Sequence, residues 1–319
     1  MNVLYITKDG RIEREGNTLY YVGEDFKQHL PAMNVKSIII MAKVSLSSWA
    51  IDYLNRIGII VHFMDETGRY QGSLIPAEYS QIGEVTLEQS RAYHDERRLA
   101  IASEIVQGIK GNILNNLKYY SEKADLKNEI DKIMEIKIEG DNVESLRGKE
   151  GNIWHIYYES FPKFLKGVSQ FTRTFYPPKD EINAMISYGN SILYSVTLSS
   201  IMISGLNPSI SFLHEPSNRS FSLALDISDI FKPTIVIQSI AKMINKNMIT
   251  TDMFTKKSEG VYLSDIGRKE FVKAIRDKLQ STTTGKSGRT LSYENIITEE
   301  CQSLKNFIMN GEKYKSFRG

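Results

Sequence analysis

His214 stands in a Leu-His-Glu-Pro turn, and the segment SLALDISDIF (222–231) then places Asp226 and Asp229 three residues apart in an otherwise apolar run. In a helix that spacing puts both carboxylates on one side, whereas in a strand they would face opposite sides. Leu223, Ile227, Ile230 and Phe231 form the buried stripe of such a helix, with Asp226 at its edge and Asp229 one step further round. Carboxylates beside an apolar seam are costly unless something pairs with them. Either they solvate the flank of the helix, with His214 as a turn residue, or the group holds a cation. Neutral imidazole with carboxylates suits manganese, and carboxylates with water suit magnesium. Glu150 extends the pattern. In EGNIWHIYYESF (150–161) it shares a helical face with Trp154, Tyr157 and Phe161, an exception to binary patterning. That exception reads as favourable placement near a helix N-terminus or as a ligand projected inward. His155 beside it points elsewhere.

These residues need elements to position them. The first 75 or so residues read as β-rich: VLYIT, a Lys8–Arg11 turn and TLYYV suggest hairpin pieces, and SIIIM and IIVHFM are β-branched runs. Between the last two, Ser47 to Ile57 carries helix signals, with Gly58 as a stop. From about Leu87 the period changes. Ile101, Ile105, Ile109, Ile113 and Leu117 recur every four residues and predict a long amphipathic helix. Shorter helices punctuated by Gly140 and Gly148 follow, then one that runs to Pro162, then a loop through Arg173, Pro177, Pro178 and Lys179. Asp180 caps a helix that is apolar nearly all round up to Gly205. SLALDISDIFKPTIVIQSIAKMI is helical with a kink or restart at Pro233. Ser281 to Arg289 reads as a flexible basic loop before a last helix. The fold class is therefore α+β, with a β-rich domain over 1–86 and a helical domain over 87–319.

At this point the residues carry a resemblance. EG at 150–151, NAMISYGNSILYS at 183–195, GLNPSISFLHEP at 205–216 and SLALDISDIFKP at 222–233, in that order, resemble the CRISPR-associated integrase family that inserts new spacers into the repeat array ("Cas one"). The likeness covers most of the chain and includes the closing GEKYKSF. The family implies a divalent-metal site, with Mg2+ or Mn2+ held by Glu150, His214 and Asp229 and with Asp226 beside it. It also implies a small "Cas two" partner, a homodimer formed through the N-terminal part, and double-stranded and branched DNA as substrate. Ile153-Trp154 departs from the small residues that many members have after the EG pair. A metal with open positions can serve water attack or attack by a DNA 3′-hydroxyl, and the family's role selects the second. Two other readings stand beside it: a generic hydrolase of small esters using His214 and the carboxylates, and a non-catalytic DNA scaffold.

DNA contacts are expected from local basic patches, because the net charge is only +2. Lys163, Lys166, Arg173 and Lys179 flank Phe171, Phe175 and Tyr176, and Lys286 and Arg289 lie in the later loop. Each run alone reads equally as a solvated face. On the core helix, Asn183 is an inward amide suited to a helix-to-helix bond or to supporting the site. Tyr188 and Tyr194 could orient substrate or simply pack. TGKSG at 284–288 is not a phosphate-binding loop, because Gln280 stands where its first glycine belongs. His62 reads as a satisfied strand histidine, and the single cysteine, Cys301, is assigned no role. One cysteine excludes an internal disulfide and makes a thiolate zinc site unfavourable. The charged N-terminus leaves no room for a signal-peptide core, and no 18-residue window is free of polar groups. The expectation is a cytoplasmic protein without a membrane span.

Overall fold

The computed structural model describes residues 2–80, 83–140, 142–216 and 221–319. Eight strands and one helix come first: β1 (Val3–Ile6), β2 (Gly10–Glu15), β3 (Thr18–Val22), β4 (Lys27–Leu30), β5 (Ser37–Ile40), β6 (Val44–Leu46), α1 (Ser48–Arg56), β7 (Ile60–Met64) and β8 (Tyr70–Leu74). They form two four-stranded sheets, ordered β4-β3-β2-β6 and β1-β5-β7-β8. The first hairpin differs from the sequence expectation. Gly10 and Arg11 begin β2, which pairs with β3 across a turn at Gly16 (φ 60°), while β1 runs parallel to β5. Only a residue without Cβ accepts that φ cheaply, so Gly16 sets the register.

Strand alternation divides the second sheet between two cores. Ile38, Ile40 and Val61 pack with Ile12, Leu19 and Leu54 in a small β-domain core. Ile39, Ile60 and Met64 face the opposite way into the core of the helical part. His62 shares that second face and is fully buried. Its two ring nitrogens meet Ser73 Oγ at 2.5 Å and Ser199 Oγ at 2.6 Å, so it is the satisfied strand histidine the sequence suggested.

The helical part follows as α2 (Gly83–His94), α3 (Arg97–Ser121), α4 (Lys127–Glu135), α5 (Val143–Glu159), α6 (Phe161–Phe164), α7 (Glu181–Ile203), α8 (Ser222–Lys232) and α9 (Gln238–Asn245). Strands β9 (Phe254–Lys256) and β10 (Val261–Leu263), α10 (Asp265–Gln280), β11 (Thr282–Thr284), β12 (Thr290–Ser292) and α11 (Tyr293–Asn310) complete it. Ile101, Ile105, Ile109, Ile113 and Leu117 are all fully buried along α3. Gly148 lies inside α5 instead of breaking it, because the N-cap is Asn142, whose side chain accepts the Ser145 N–H at 2.9 Å. Pro233 cannot donate to the carbonyl one turn back, and the chain widens into a π-helical turn (Pro233–Ile237) before α9 resumes. The expected flexible loop at 281–289 is an ordered hairpin. β11 pairs with β12, and Glu299 accepts the backbone N–H groups of Lys286 (2.8 Å) and Ser287 (3.0 Å). Among the described residues no helix is long and apolar enough to cross a membrane.

Candidate active site

Glu150, His214 and Asp229 open onto one cleft of about 900 Å³ between α5, α7, α8 and the β7–β8 turn. Asp226 does not face it. This carboxylate is fully buried. Its Oδ2 accepts the backbone N–H groups of Phe212 (2.7 Å) and Leu213 (3.0 Å), and its Oδ1 accepts that of His214 (2.9 Å). Oδ1 also meets His214 Nδ1 at 2.8 Å. The expectation of Asp226 at the edge of the stripe is thus corrected. One helical carboxylate gathers the Phe-Leu-His stretch of the turn and fixes the ring, which leaves Nε2 as the free nitrogen. From outside, Arg98 donates to Phe212 O (3.3 Å) and pairs with Glu215 (2.7 Å), so the turn is held at both ends.

The electrostatics of the cleft follow from these positions. Burial works against charge on His214, yet the hydrogen bond and charge of Asp226, with Asp229 and Glu150 beyond, raise its pKa to about 9. Glu150 is pushed up to about 7 by burial and by the Asp229 carboxylate, opposed by His214 and Lys232. It lies two turns into α5, so the helix N-terminus does not account for it. Asp229 is 5% exposed, and its Oδ1 forms an ion pair with Lys232 but accepts no hydrogen bond. Hard oxygen donors and one imidazole nitrogen opening onto one cleft suit Mg2+ or Mn2+. Among the described residues, however, no three His, Cys, Asp or Glu side chains already stand together as a closed ion cage.

The remaining expected residues separate. Asn183 is buried and spends its amide on the 172–180 loop: Oδ1 accepts from Arg173 Nη1 (2.8 Å) and Thr174 N (2.9 Å), and Nδ2 donates to Thr172 O (2.9 Å) and Asp180 Oδ2 (2.6 Å). It therefore holds a loop and makes no bond to another helix. Tyr188 turns from the cleft and donates to Met41 Sδ at 3.4 Å. The residues of α7 that line the cleft are Ser187, Asn190, Ser191 and Tyr194. Their spacing is a polar stripe on an otherwise apolar helix, a signal present in the sequence and not drawn from it. Tyr194 OH accepts the Phe221 N–H at 2.9 Å, at the start of α8.

Arg173 lines the cleft with its guanidinium 4.8 Å from the Phe175 ring, and from the β7–β8 turn Arg69 lies 4.6 Å from the Tyr176 ring. Both rings are mostly exposed. The β-domain contribution of Thr67, Gly68, Arg69 and Tyr70 was not read from the sequence. Asp65 sets that turn by accepting the N–H groups of Thr67 and Arg69, each at 2.9 Å. Lys166 and Lys179 are exposed and contact Asn247 and Glu259 O, and Arg289 is exposed. Lys163 is engaged by both oxygens of Glu129 (2.8 and 2.9 Å), and Lys286 pairs with the buried Glu300 (2.7 Å). Cys301 is buried, and burial raises its thiol pKa, so it carries no reactive thiolate.

Comparison with known proteins places this architecture. The family model described as "CRISPR associated protein Cas1" matches residues 4–277. The CRISPR-associated endonuclease Cas1 of Clostridium perfringens (strain SM101 / Type A) is 37% identical over 324 residues, covering 98% of each chain. A solved Cas1 protein from Thermotoga maritima superposes with a TM-score of 0.85 at 32% identity, covering 99% of this chain and 100% of that one. A casposase bound to integration product has the same fold, with a TM-score of 0.83 at 21% identity over 100% of this chain and 93% of that one. So does a chain of a Cas6-RT-Cas1–Cas2 complex, with a TM-score of 0.84 at 22% identity over 99% of this chain and 36% of that one.

Proposed function

The chain belongs to the CRISPR-associated Cas1 family, and from that premise we propose that it is a divalent-metal-dependent DNA nuclease and integrase, joining new spacer DNA to a CRISPR array by phosphodiester transesterification. One observation carries the reading: Asp226 fixes the His214 ring while Glu150 and Asp229 open onto the same cleft. In this reading Glu150, His214 and Asp229 would hold Mg2+ or Mn2+, which supplies Lewis-acid polarisation of the phosphodiester when bound. Asp226 keeps the Nδ1 proton and presents Nε2 to the cleft. Because His214 is charged at neutral pH, it donates its lone pair only after releasing the Nε2 proton, which couples ion uptake to proton release.

Double-stranded and branched DNA would lie along the cleft. Arg173 and Arg69, which line the cleft, would meet its phosphates, and Lys166, Lys179 and Arg289 would extend the basic rim. Lys163 and Lys286 must first leave Glu129 and Glu300. We keep the division of the sequence reading, 1–86 for dimerisation and 87–319 for chemistry, although α2 (Gly83–His94) crosses that boundary. Leu46, Ile51, Phe63 and Leu74 line a groove of about 380 Å³ near edge strands β6 and β8, beside the exposed Trp49. We assign that face to the homodimer. The small Cas2 protein is the assigned partner in integration, and the cytoplasm is the assigned compartment.

The test is incubation of the purified protein with branched and linear DNA, with and without manganese. Cleavage or strand joining that needs the metal is expected. DNA binding indifferent to chelator with no cleavage would replace this reading by a scaffold, and turnover of small esters would replace it by a generic hydrolase.

A further inference from the structure

Lys232 ends α8 one turn after Asp229, and its ammonium pairs with Asp229 Oδ1. The two side chains are 19% and 7% accessible, and both line the cleft that holds Glu150 and His214. Two other buried carboxylates among the described residues are well supplied with donors. Asp226 accepts from three backbone N–H groups and a ring nitrogen, and Glu300 is met by Tyr314 OH, Phe317 N and Lys286. Asp229 Oδ1 accepts no hydrogen bond, so a nearly desolvated carboxylate depends there on one monovalent charge. Burying a charge so sparsely supported is costly.

We propose that Lys232 is an exchangeable counter-ion. It occupies Asp229 while the cleft holds no divalent cation and, once displaced, turns its ammonium to a phosphate of the DNA strand in the same cleft. The proposal rests on the metal-site reading given above. A divalent cation and an ammonium compete for the same oxygen, so Lys232 must leave Asp229 for the three donors to close. Its stem stays anchored to the last turn of α8, on the wall of the cleft, where a DNA phosphate offers the next anion. A lysine suits this exchange because its point charge on a flexible stem releases a carboxylate easily, whereas arginine would grip it with two parallel bonds. The consequence is linkage. Metal and DNA each raise the other's affinity by the same factor, because each removes a competitor or frees a contact for the other.

The full-length protein is titrated with MnCl2 alone, read by loss of the free-ion paramagnetic resonance signal, and with a labelled branched DNA read by anisotropy with and without Mn2+. Lys232→Met should bind Mn2+ about tenfold more tightly than the parent and lose the metal-dependent gain in DNA affinity. Lys232→Arg should bind Mn2+ no more tightly than the parent and keep DNA affinity. A merely structural ion pair would lower the melting temperature of both variants and leave the Mn2+ affinity of Lys232→Met at the parental value. Unchanged or weaker Mn2+ binding by Lys232→Met overturns the proposal. If that variant does not fold, Lys232→Arg binding Mn2+ more tightly than the parent overturns it instead. A parent that binds no Mn2+, indistinguishable from Asp229→Ala, overturns the metal-site reading itself and this inference with it.

Discussion

His62 and His214 each sit among polar neighbours and end in opposite charge states. Both nitrogens of His62 meet serine hydroxyls at the contact between the second sheet and α7, and burial lowers its pKa to about 3. His214 has one nitrogen on a buried carboxylate and two further carboxylates nearby, and its pKa rises to about 9. Neutral partners close the first region, which leaves the ring nothing to do but pack. Charged partners on one side only leave the second ring with an open nitrogen over a cleft. The contrast between a completed and an incomplete hydrogen-bonding shell separates core from candidate site here more sharply than residue type does.

The largest effect should come from truncating each ring. We predict that His214→Ala reduces manganese-dependent cleavage to background while shifting the melting temperature by only a few degrees. His62→Ala should do the reverse. It leaves a cavity and takes a partner from the Ser73 and Ser199 hydroxyls, of which Ser73 keeps Tyr70 OH, costing about 2–4 kcal/mol, with activity per folded molecule preserved. Cleavage assays beside denaturant unfolding decide this, and a His214→Ala variant that still cuts at the parental rate breaks the comparison.

Next is the residue that orients the active ring. Asp226→Asn removes a charge that four donors share, so a loss of about 1–3 kcal/mol in stability is predicted. Activity should fall about 10–100-fold, as when an outer partner of a ligand is altered. A variant as stable as the parent would show that the turn is held mainly by Arg98. From sequence alone Asp226 looked like an accessory carboxylate on the stripe, and only the fold shows it beneath the turn.

The same distinction governs what was legible in the sequence. The four-residue period of α3 depends on local spacing and is buried as read, and Glu150, His214 and Asp229, named from their order in the chain, line one cleft, while Asp226 does not. On α7 the polar stripe Ser187, Asn190, Ser191 and Tyr194 marks the cleft face, while Asn183 and Tyr188, the supporting candidates of the sequence reading, stand off it. The loop at 172–180 and Met41 of the β domain claim those two side chains. The β7–β8 turn was missed because no spacing links residues 67–70 to residue 150. The hairpin at 282–292 read as flexible because Glu299, which accepts two of its backbone N–H groups, lies beyond it in α11.

Basic residues sort by the same rule, with a smaller effect. Arg173→Ala with Lys179→Ala should weaken DNA binding about tenfold and reduce the salt slope by about 1–2, since each removes a phosphate contact. Lys286→Ala should barely change DNA affinity and instead destabilise the fold, because it leaves the buried Glu300 carboxylate with two neutral donors and no counter-charge. Anisotropy titrations at several salt concentrations separate the two classes. Equal loss of DNA affinity in both variants would mean that Lys286 leaves Glu300 when DNA arrives.

The smallest effect is a difference in pH response of the metal-free protein. Folded His62 has a pKa of about 3 against the ordinary 6.5, so as pH falls the unfolded chain takes the proton first. The stability it supports is present above about pH 6.5 and is lost on the way down to pH 3, amounting to about 1.4 kcal/mol already at pH 5.5. Folded His214, at about 9, does the opposite: its contribution is complete below pH 6.5 and is lost as pH rises to 9. Glu150 and Glu294, both pushed up to about 7 with burial as the largest cause, favour the folded state when protonated and oppose the acid loss. The measurement therefore compares variants with the parent instead of reading one absolute slope. Urea midpoints at pH 5.5, 7.0 and 8.5 in chelator should show that His62→Gln narrows its deficit to the parent at pH 5.5 relative to pH 7.0. His214→Gln should narrow its deficit at pH 8.5 relative to pH 7.0. Parallel curves for both variants would mean that the two rings share one charge state and that the difference between core and cleft lies elsewhere.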